Sequence, residues 1–339
     1  MWFLRTSRAE LHQFSQPPQR YAILSHVWGE DEQLFQDIQV LHALARSSPR
    51  KINPRDQASA KIRGCCIYAE AQGFEWLWID SCCIDKSSSA ELSEAINSMY
   101  QWYARATVCY VYLHDVSAGT DPSARDSSFR RSKWFTRGWT LQELIAPKHV
   151  CFLSHNWVHL GDKALFARLL EQVTGIDVNV LTFRVQLSSV PVAKRMQWAS
   201  QRKTTRIEDE AYSLMGIFGV HMSTIYGEGR QAFRRLQEGI MKNIADHTLL
   251  TWGLGMPGDW FAGRYLIKPT NRCSLLARST GDFQKPQMDI LTTSVSEYWN
   301  ALESAALPSE YAGGRAQVSP PISHFIMIFH PSHHFGRLV

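Results

Sequence analysis

Trp76-Leu-Trp-Ile-Asp80, Ser88-Ser-Ala-Glu91 and Thr107-Val-Cys-Tyr-Val-Tyr-Leu113 are parts of one stretch, residues 76–113, whose reading decides the fold. The first and last are short apolar runs rich in aromatic and β-branched residues, the pattern of buried strands. Between them Ser88 and Glu91 fit a capping box, and Leu92, Ala95, Ile96, Met99, Trp102 and Tyr103 recur at helical spacing. Strand, helix, strand in that order predicts a right-handed crossover between two parallel strands.

The same alternation extends in both directions. Upstream, Tyr21-Ala-Ile-Leu-Ser-His-Val-Trp28 is an apolar run closed by Gly29-Glu-Asp-Glu32, a buried strand ending in a polar loop. A helix is expected after Pro54-Arg-Asp56, with Ala58, Ile62, Cys65, Cys66 and Ala69 on one face and Gly73 as its C-cap. Downstream, His149-Val-Cys-Phe-Leu153 reads as a fourth strand. The expected fold is therefore α/β, a doubly wound parallel sheet over residues 1–160. After Trp157 the pattern turns mostly helical, with helices expected over 162–173, 193–200, 208–218 and 230–243, so residues 161–252 read as a helical appendage. Tyr226-Gly-Glu-Gly-Arg230 lacks the strand context of a phosphate loop and reads as a turn entering a helix. Residues 253–339 stay unassigned, with a small β-rich piece or an incomplete domain both open.

Composition narrows the function classes. The 339 residues are 45% hydrophobic and 20% charged, an ordinary globular balance with room for two domains. A net charge of +5 is small for this length, and the basic residues are scattered without aromatic partners, which argues against nucleic acid as a partner. No window approaches the ~18 apolar residues of a membrane span, and the first ten residues lack a signal-peptide core, so a cytoplasmic chain is expected. Seven cysteines include two adjacent pairs and no Cys-x-x-Cys spacing, and they read as reduced core residues. Cys82 and Cys83 follow a strand directly, which leaves a reactive thiol as an alternative there. The close His grouping at 330–335 has no Cys beside it, and no metal site is expected.

The polar residues gather at the predicted strand ends. Ser25, His26, Trp28 and Gly29 leave the first strand, Asp80, Ser81 and Asp85 the second, and Asp115 the third. Parallel strands put all of these on one rim, where open α/β sheets hold their ligands. The segment Ser132-Lys-Trp-Phe-Thr-Arg-Gly-Trp-Thr-Leu-Gln-Glu-Leu144 adds Glu143, with Arg137 and Trp139 nearby in sequence. Each of these residues has a structural alternative: Ser25 as a cap, Trp28 as packing, Asp80 as the partner of its own turn's amides. Glu143 has one too, as a partly exposed residue of an amphipathic helix whose Trp139 and Leu144 face the core. The convergence on one rim favours a functional reading.

At these residues the chain resembles the heterokaryon-incompatibility (HET) domain of filamentous fungi. Three blocks carry the resemblance, in order: Tyr21 to Gly29, Trp78-Ile-Asp-Ser-Cys-Cys-Ile-Asp85 and Arg137-Gly-Trp-Thr-Leu-Gln-Glu-Leu144. Met1 to Phe14, Phe35-Gln-Asp-Ile38, and residues 206–216 and 225–230 also look like the longer incompatibility proteins, so the resemblance covers roughly residues 1–252. That family is in turn similar to Toll/interleukin-1 receptor (TIR) domains, which have a flavodoxin-like sheet and in many members cleave NAD. The resemblance implies a self/non-self recognition effector that triggers cell death by hydrolysing NAD. It further implies self-association through the α/β domain and an upstream receptor-type or partner protein. Ser81 to Ser89 occupies the place of the loop that TIR domains use in self-association. In TIR domains a Ser-x-Trp leads to the catalytic Glu; here Ser132-Lys-Trp134 leads to Glu143 at a longer spacing, and Trp139 is the other candidate for that tryptophan.

Carried onto this sequence, the catalytic residue is Glu143 and the substrate-binding set is Ser25, Trp28, Gly29, Asp80, Arg137 and Trp139. NAD enters as substrate, with no bound cofactor. One carboxylate suffices, because nicotinamide leaves a cationic ring as a neutral molecule and needs no proton, unlike a sugar leaving group served by two carboxyl groups. Trp28 or Trp139 is placed to stack on a base, and Arg137 to grip the pyrophosphate or, alternatively, to bridge Asp80 or Asp115. The alternative from another class is a non-catalytic signalling module that acts by homotypic assembly.

Overall fold

A computed structural model describes residues 1–48, 52–119, 121–252, 276–284, 289–294 and 324–329. Its centre is a seven-stranded sheet in the order β2-β1-β4-β3-β5-β6-β7. The four strands expected from sequence are all present and mutually parallel: β3 (Ala22–His26), β4 (Trp76–Trp78), β5 (Val108–Tyr112) and β6 (Val150–Leu153). The sheet as a whole is mixed, which corrects the expectation of an all-parallel one. A hairpin of β1 (Trp2–Arg5) and β2 (Glu10–Gln13) pairs antiparallel with β4, and β7 (His159–Asp162) pairs antiparallel with β6. These three strands are four residues each and lack Asn-Gly or Asp-Gly turn signals. The β1–β2 turn places Ala9 at φ 50°, a conformation its side chain does not advertise.

The helices between the parallel strands follow the predicted faces. After α1 (Phe35–Ser47) and the single turn α2 (Pro54–Gln57), α3 (Ala60–Ala71) buries Ile62, Cys65, Cys66 and Ala69. α4 (Ser89–Arg105) buries Ala95, Ile96, Met99, Trp102 and Tyr103. Its N-cap is Ser88, whose hydroxyl accepts from the Glu91 amide; the Glu91 carboxylate reaches past the cap to the Asp85 amide, 3.2 Å away. α5 (Thr140–Ile145) differs from its expectation, since all six of its residues are buried and no polar face exists.

Beyond the sheet lie α6 (Ala167–Thr174), α7 (Val178–Leu181), α8 (Val192–Ala199), α9 (Asp209–Tyr212), α10 (Met215–Phe218) and α11 (Gln231–Asn243). The expected helix over 208–218 is split in two around Ser213 and Leu214, and residues 162–166 of the one expected over 162–173 form the end of β7 and a turn. The region is stitched to the sheet domain by backbone: Gly138 N–H donates to the Lys203 carbonyl at 2.9 Å, and Lys203 N–H to the Thr136 carbonyl at 2.7 Å. Gly138 is required there, because a Cβ would lie 2.4 Å from Thr204 Cγ2. In the C-terminal part, β8 (Asp289–Ser294) pairs antiparallel with β9 (His324–Phe329). The histidines at 330–335 and Cys273 lie outside the described residues, while the other six cysteines are free and buried. Burial pushes the Cys82 thiol well above its usual range, against the reactive-thiol alternative. Among the described residues no helix is long and apolar enough to cross a membrane.

Candidate functional site

The chain passes from β3 to β4 on one side and then returns across β3 to β5 on the other. Outside the carboxyl ends of such a pair lies the crevice where open α/β sheets bind ligands. Ser25 sits there in the penultimate position of β3, fully buried. Its hydroxyl donates to the Glu143 carboxylate and accepts the Trp134 indole N–H at 2.7 Å. Ser132, the N-cap of the 3₁₀ turn Lys133–Thr136 that carries Trp134, accepts from the Trp134 amide and donates to Asp115 at 2.7 Å. The serine and tryptophan that precede Glu143 in sequence are thus parts of its support, and Trp134, fully buried, is the tryptophan tied to it.

Glu143 is 5% exposed, which excludes the reading of it as a partly exposed helix residue. Burial raises its carboxyl pKa most strongly and the nearby Asp80 charge raises it further. Hydrogen bonds from Ser25 and Tyr103 and the charge of Arg202 pull it back, and the result is about 8. The single Tyr103 hydroxyl hydrogen is shared between Glu143 and the Leu24 carbonyl, 3.0 Å away, which fixes the hydroxyl beside β3. Arg202 arrives from beyond α8, is buried, and donates to the Arg137 carbonyl and Thr140 Oγ1, each at 2.9 Å. Lys163 closes the other end of α5 by donating to the Leu144 carbonyl at 3.1 Å and to the Pro147 carbonyl.

Asp80 connects this buried group to the surface. Its carboxylate accepts the Trp28 indole N–H at 2.8 Å and lies 3.8 Å from His26 Nδ1. Trp28 is 41% exposed, and the Lys86 ammonium sits 4.4 Å from its ring centroid while donating to the Asp80 and Ser81 carbonyls. His26 Nε2 meets Glu32 at 3.0 Å, and Lys61 meets the other Glu32 oxygen at 2.6 Å. Burial acts to raise the Glu32 pKa, but His26, Lys61 and the Gly29 amide outweigh it and hold the carboxyl at about 2. Gly29 contributes that amide, and nothing stands within 4 Å of where its Cβ would be.

The structure therefore brings Ser25, Trp28, Gly29, Asp80 and Glu143 to one rim. It does not bring Arg137 or Trp139 to the Glu143 carboxylate. The Arg137 guanidinium donates to Thr205 at 2.9 Å, with no ion pair to Asp80 or Asp115 among the described residues, and Trp139 hydrogen-bonds Asp209. Both are partners of the helical region. Sequence reasoning passes over Tyr103, Lys86, Glu32, Lys61 and Arg202 as site residues. Lys86 follows a strand-end Asp and is legible in principle; Arg202 reaches Thr140 across 62 positions with no local pattern. A single buried carboxyl beside a serine, an indole and a phenol can stabilise positive charge when ionised and hold hydroxyl groups in either state.

Residues 21–128 match the family described as Heterokaryon incompatibility protein (HET), and residues 231–319 match one described as Domain of unknown function (DUF8212). The chain is 48% identical over 235 residues to "Vegetative incompatibility protein HET-E-1" of Podospora anserina, an alignment covering 67% of this chain and 16% of that protein. The chain thus matches only a small part of the length of that relative. No solved structure matches. The match over 21–128 spans Ser25, Trp28, Gly29 and Asp80, with Glu143 beyond it in the third of the sequence blocks, and the chain is a HET-domain protein.

Proposed function

We propose that this chain acts in vegetative incompatibility, as a recognition effector whose α/β domain hydrolyses NAD at Glu143 and so triggers cell death. The observation that carries the reading is the buried Glu143 carboxyl, bonded to Ser25 at the carboxyl end of β3. The four parallel strands, taken in chain order, stand in the sequence 2-1-3-4, which is how a flavodoxin-like sheet begins. That order supports the TIR-like relation.

In the reaction the bond between ribose C1′ and the pyridinium nitrogen breaks, and its electron pair neutralises the ring as nicotinamide departs. Ionised Glu143 stabilises the oxocarbenium-like centre left at C1′ and holds the ribose hydroxyls. Water then adds at C1′ and releases a proton, giving ADP-ribose. The exposed Trp28 ring offers a stacking face, and Lys86 supplies the cation at the rim that Arg137 does not. Since Glu143 is only 5% exposed, a dinucleotide reaches it only after the side chains around it rearrange.

That enclosure also favours the second reading, a signalling module that works by homotypic assembly and keeps Glu143 as a structural group. Of the segment proposed for self-association, Ser81 to Ile84 is buried and Asp85 to Ser89 reaches the surface, so assembly contacts fall to the latter. Expression of the wild-type chain with parallel counts of viable cells and cellular NAD separates the two. Loss of NAD ahead of death supports hydrolysis, and death at constant NAD withdraws the enzyme assignment in favour of assembly.

A further inference from the structure

The last two strands of the sheet carry a group of side chains that the function above does not use. Cys151 on β6 and Asp162 on β7 are direct cross-strand partners and so share a face. His159 would point to the opposite face in a regular ladder. The register shifts between Phe152 and Leu153, so that Leu153 pairs with His159 and Leu160 becomes the extra residue. This bulge turns His159 onto the face of Cys151 and Asp162, and bulges re-aim side chains in this way beside functional sites. Gly161 permits it, with φ +153° and no room for a Cβ, which would lie 2.3 Å from the Phe166 ring.

The outcome is one thiol, one imidazole and one carboxylate whose ligand atoms all lie within 4.8 Å of one another. His159 Nε2 is 3.1 Å from Asp162 Oδ1. A tetrahedral zinc with bonds of about 2.0–2.3 Å to N, O and S spaces its ligand atoms by somewhat more than 3 Å, so this group needs only a small contraction to close on the ion. We propose that Cys151, His159 and Asp162 form a zinc-binding site, with water as the fourth ligand. Thiolate and imidazole select zinc over magnesium or calcium, which take oxygen. Tyr68 on α3 places its hydroxyl 3.9 Å from Cys151 Sγ, an outer partner for the coordinating sulfur. Cys151 itself is buried while His159 and Asp162 are exposed, so the ion enters from the solvent side. Binding displaces the thiol proton, and affinity therefore rises with pH. In the sequence the spacing Cys-x₇-His-x₂-Asp matches no finger pattern, because the ligands are assembled by strand register.

The test is a titration of metal-free full chain with cobalt(II), a spectroscopic stand-in for zinc. The expected result is one cobalt bound with thiolate-to-metal charge-transfer absorption, displaced by zinc. His159→Ala changes an exposed side chain and leaves the metal-free melting temperature unchanged, and it should lose the thiolate band; Cys151→Ser should lose it as well. Zinc should raise the melting temperature of wild type and of neither variant. Cobalt bound without thiolate absorption, as the histidines at 330–335 alone would give, overturns the proposal. So does a thiolate band that survives in either variant.

Discussion

Ser25 on β3 donates its hydroxyl hydrogen to the Glu143 carboxylate, joining two residues 118 positions apart, and accepts the Trp134 indole N–H with the same oxygen. One small hydroxyl thus fixes the candidate catalytic carboxyl to the sheet and satisfies a fully buried tryptophan. Ser25→Ala leaves that indole N–H and one carboxyl oxygen without partners in a buried site. The expected destabilisation is ~1–3 kcal/mol, the cost of a buried polar group left unmade, read from the urea midpoint of the purified variant. A midpoint equal to wild type would show that the contact contributes nothing.

Stability should carry a pH signature from Glu143. Its carboxyl has pKa about 8 when folded against 4.5 for an unperturbed Glu, so the folded chain binds the extra proton between those values. The favourable contribution is complete below 4.5 and is lost as pH rises through about 8, with a slope of ~1.4 kcal/mol per pH unit in that window. Glu143→Gln cannot ionise and escapes the loss. Melting curves of wild type and variant should therefore converge near pH 5 and separate toward pH 8, with the variant more stable; parallel curves would place the charged form of Glu143 in a better-solvated setting.

Arg202 acts on the same group from outside the α/β domain. Its charge lowers the Glu143 pKa, and its Nη1 bonds hold the Arg137 carbonyl and Thr140 at the start of α5. Arg202→Met removes that charge and should move the window of Glu143 ionisation to higher pH. The readout is the pH at which the stability difference between Glu143 and Glu143→Gln stops growing, the end of the window set by the folded-state pKa, measured once in the wild-type background and once in the Arg202→Met background. An unmoved value would detach Arg202 from the site.

Gly138 tests the seam between the sheet and the helical region. In Gly138→Ala the new methyl overlaps Thr204 Cγ2, at an expected cost of ~1–3 kcal/mol. Replacing Thr204 with Ser removes the obstructing methyl and should recover most of the loss in thermal melts of the double variant. Failure of that rescue would locate the need for Gly138 in its backbone rather than in this contact.

How far the sequence reveals this site follows from the physics of each part. Strand ends are legible because apolar runs are short and their polar successors abrupt, and Ser25, Trp28 and Asp80 follow from that logic. The direction of a side chain on a six-residue helix is not, because α5 is buried on every side and offers no polar face to orient it. Arg137 and Trp139, read as neighbours of Glu143, belong instead to Thr205 and Asp209. The edge strands escape a sequence reading for a related reason: four residues are too few for alternation to stand out, and the β7 bulge breaks the period that remains.

The most direct test of hydrolysis at Glu143 is nicotinamide release from NAD by purified chain at high concentration, measured across pH for wild type and Glu143→Gln. The ionised carboxylate is the working form, so wild-type release should climb through about pH 8, while the variant, melting no lower than wild type at neutral pH, should lose on the order of a hundredfold or more. Absence of release from folded wild type, or release by the Gln variant at the wild-type rate, would contradict the account.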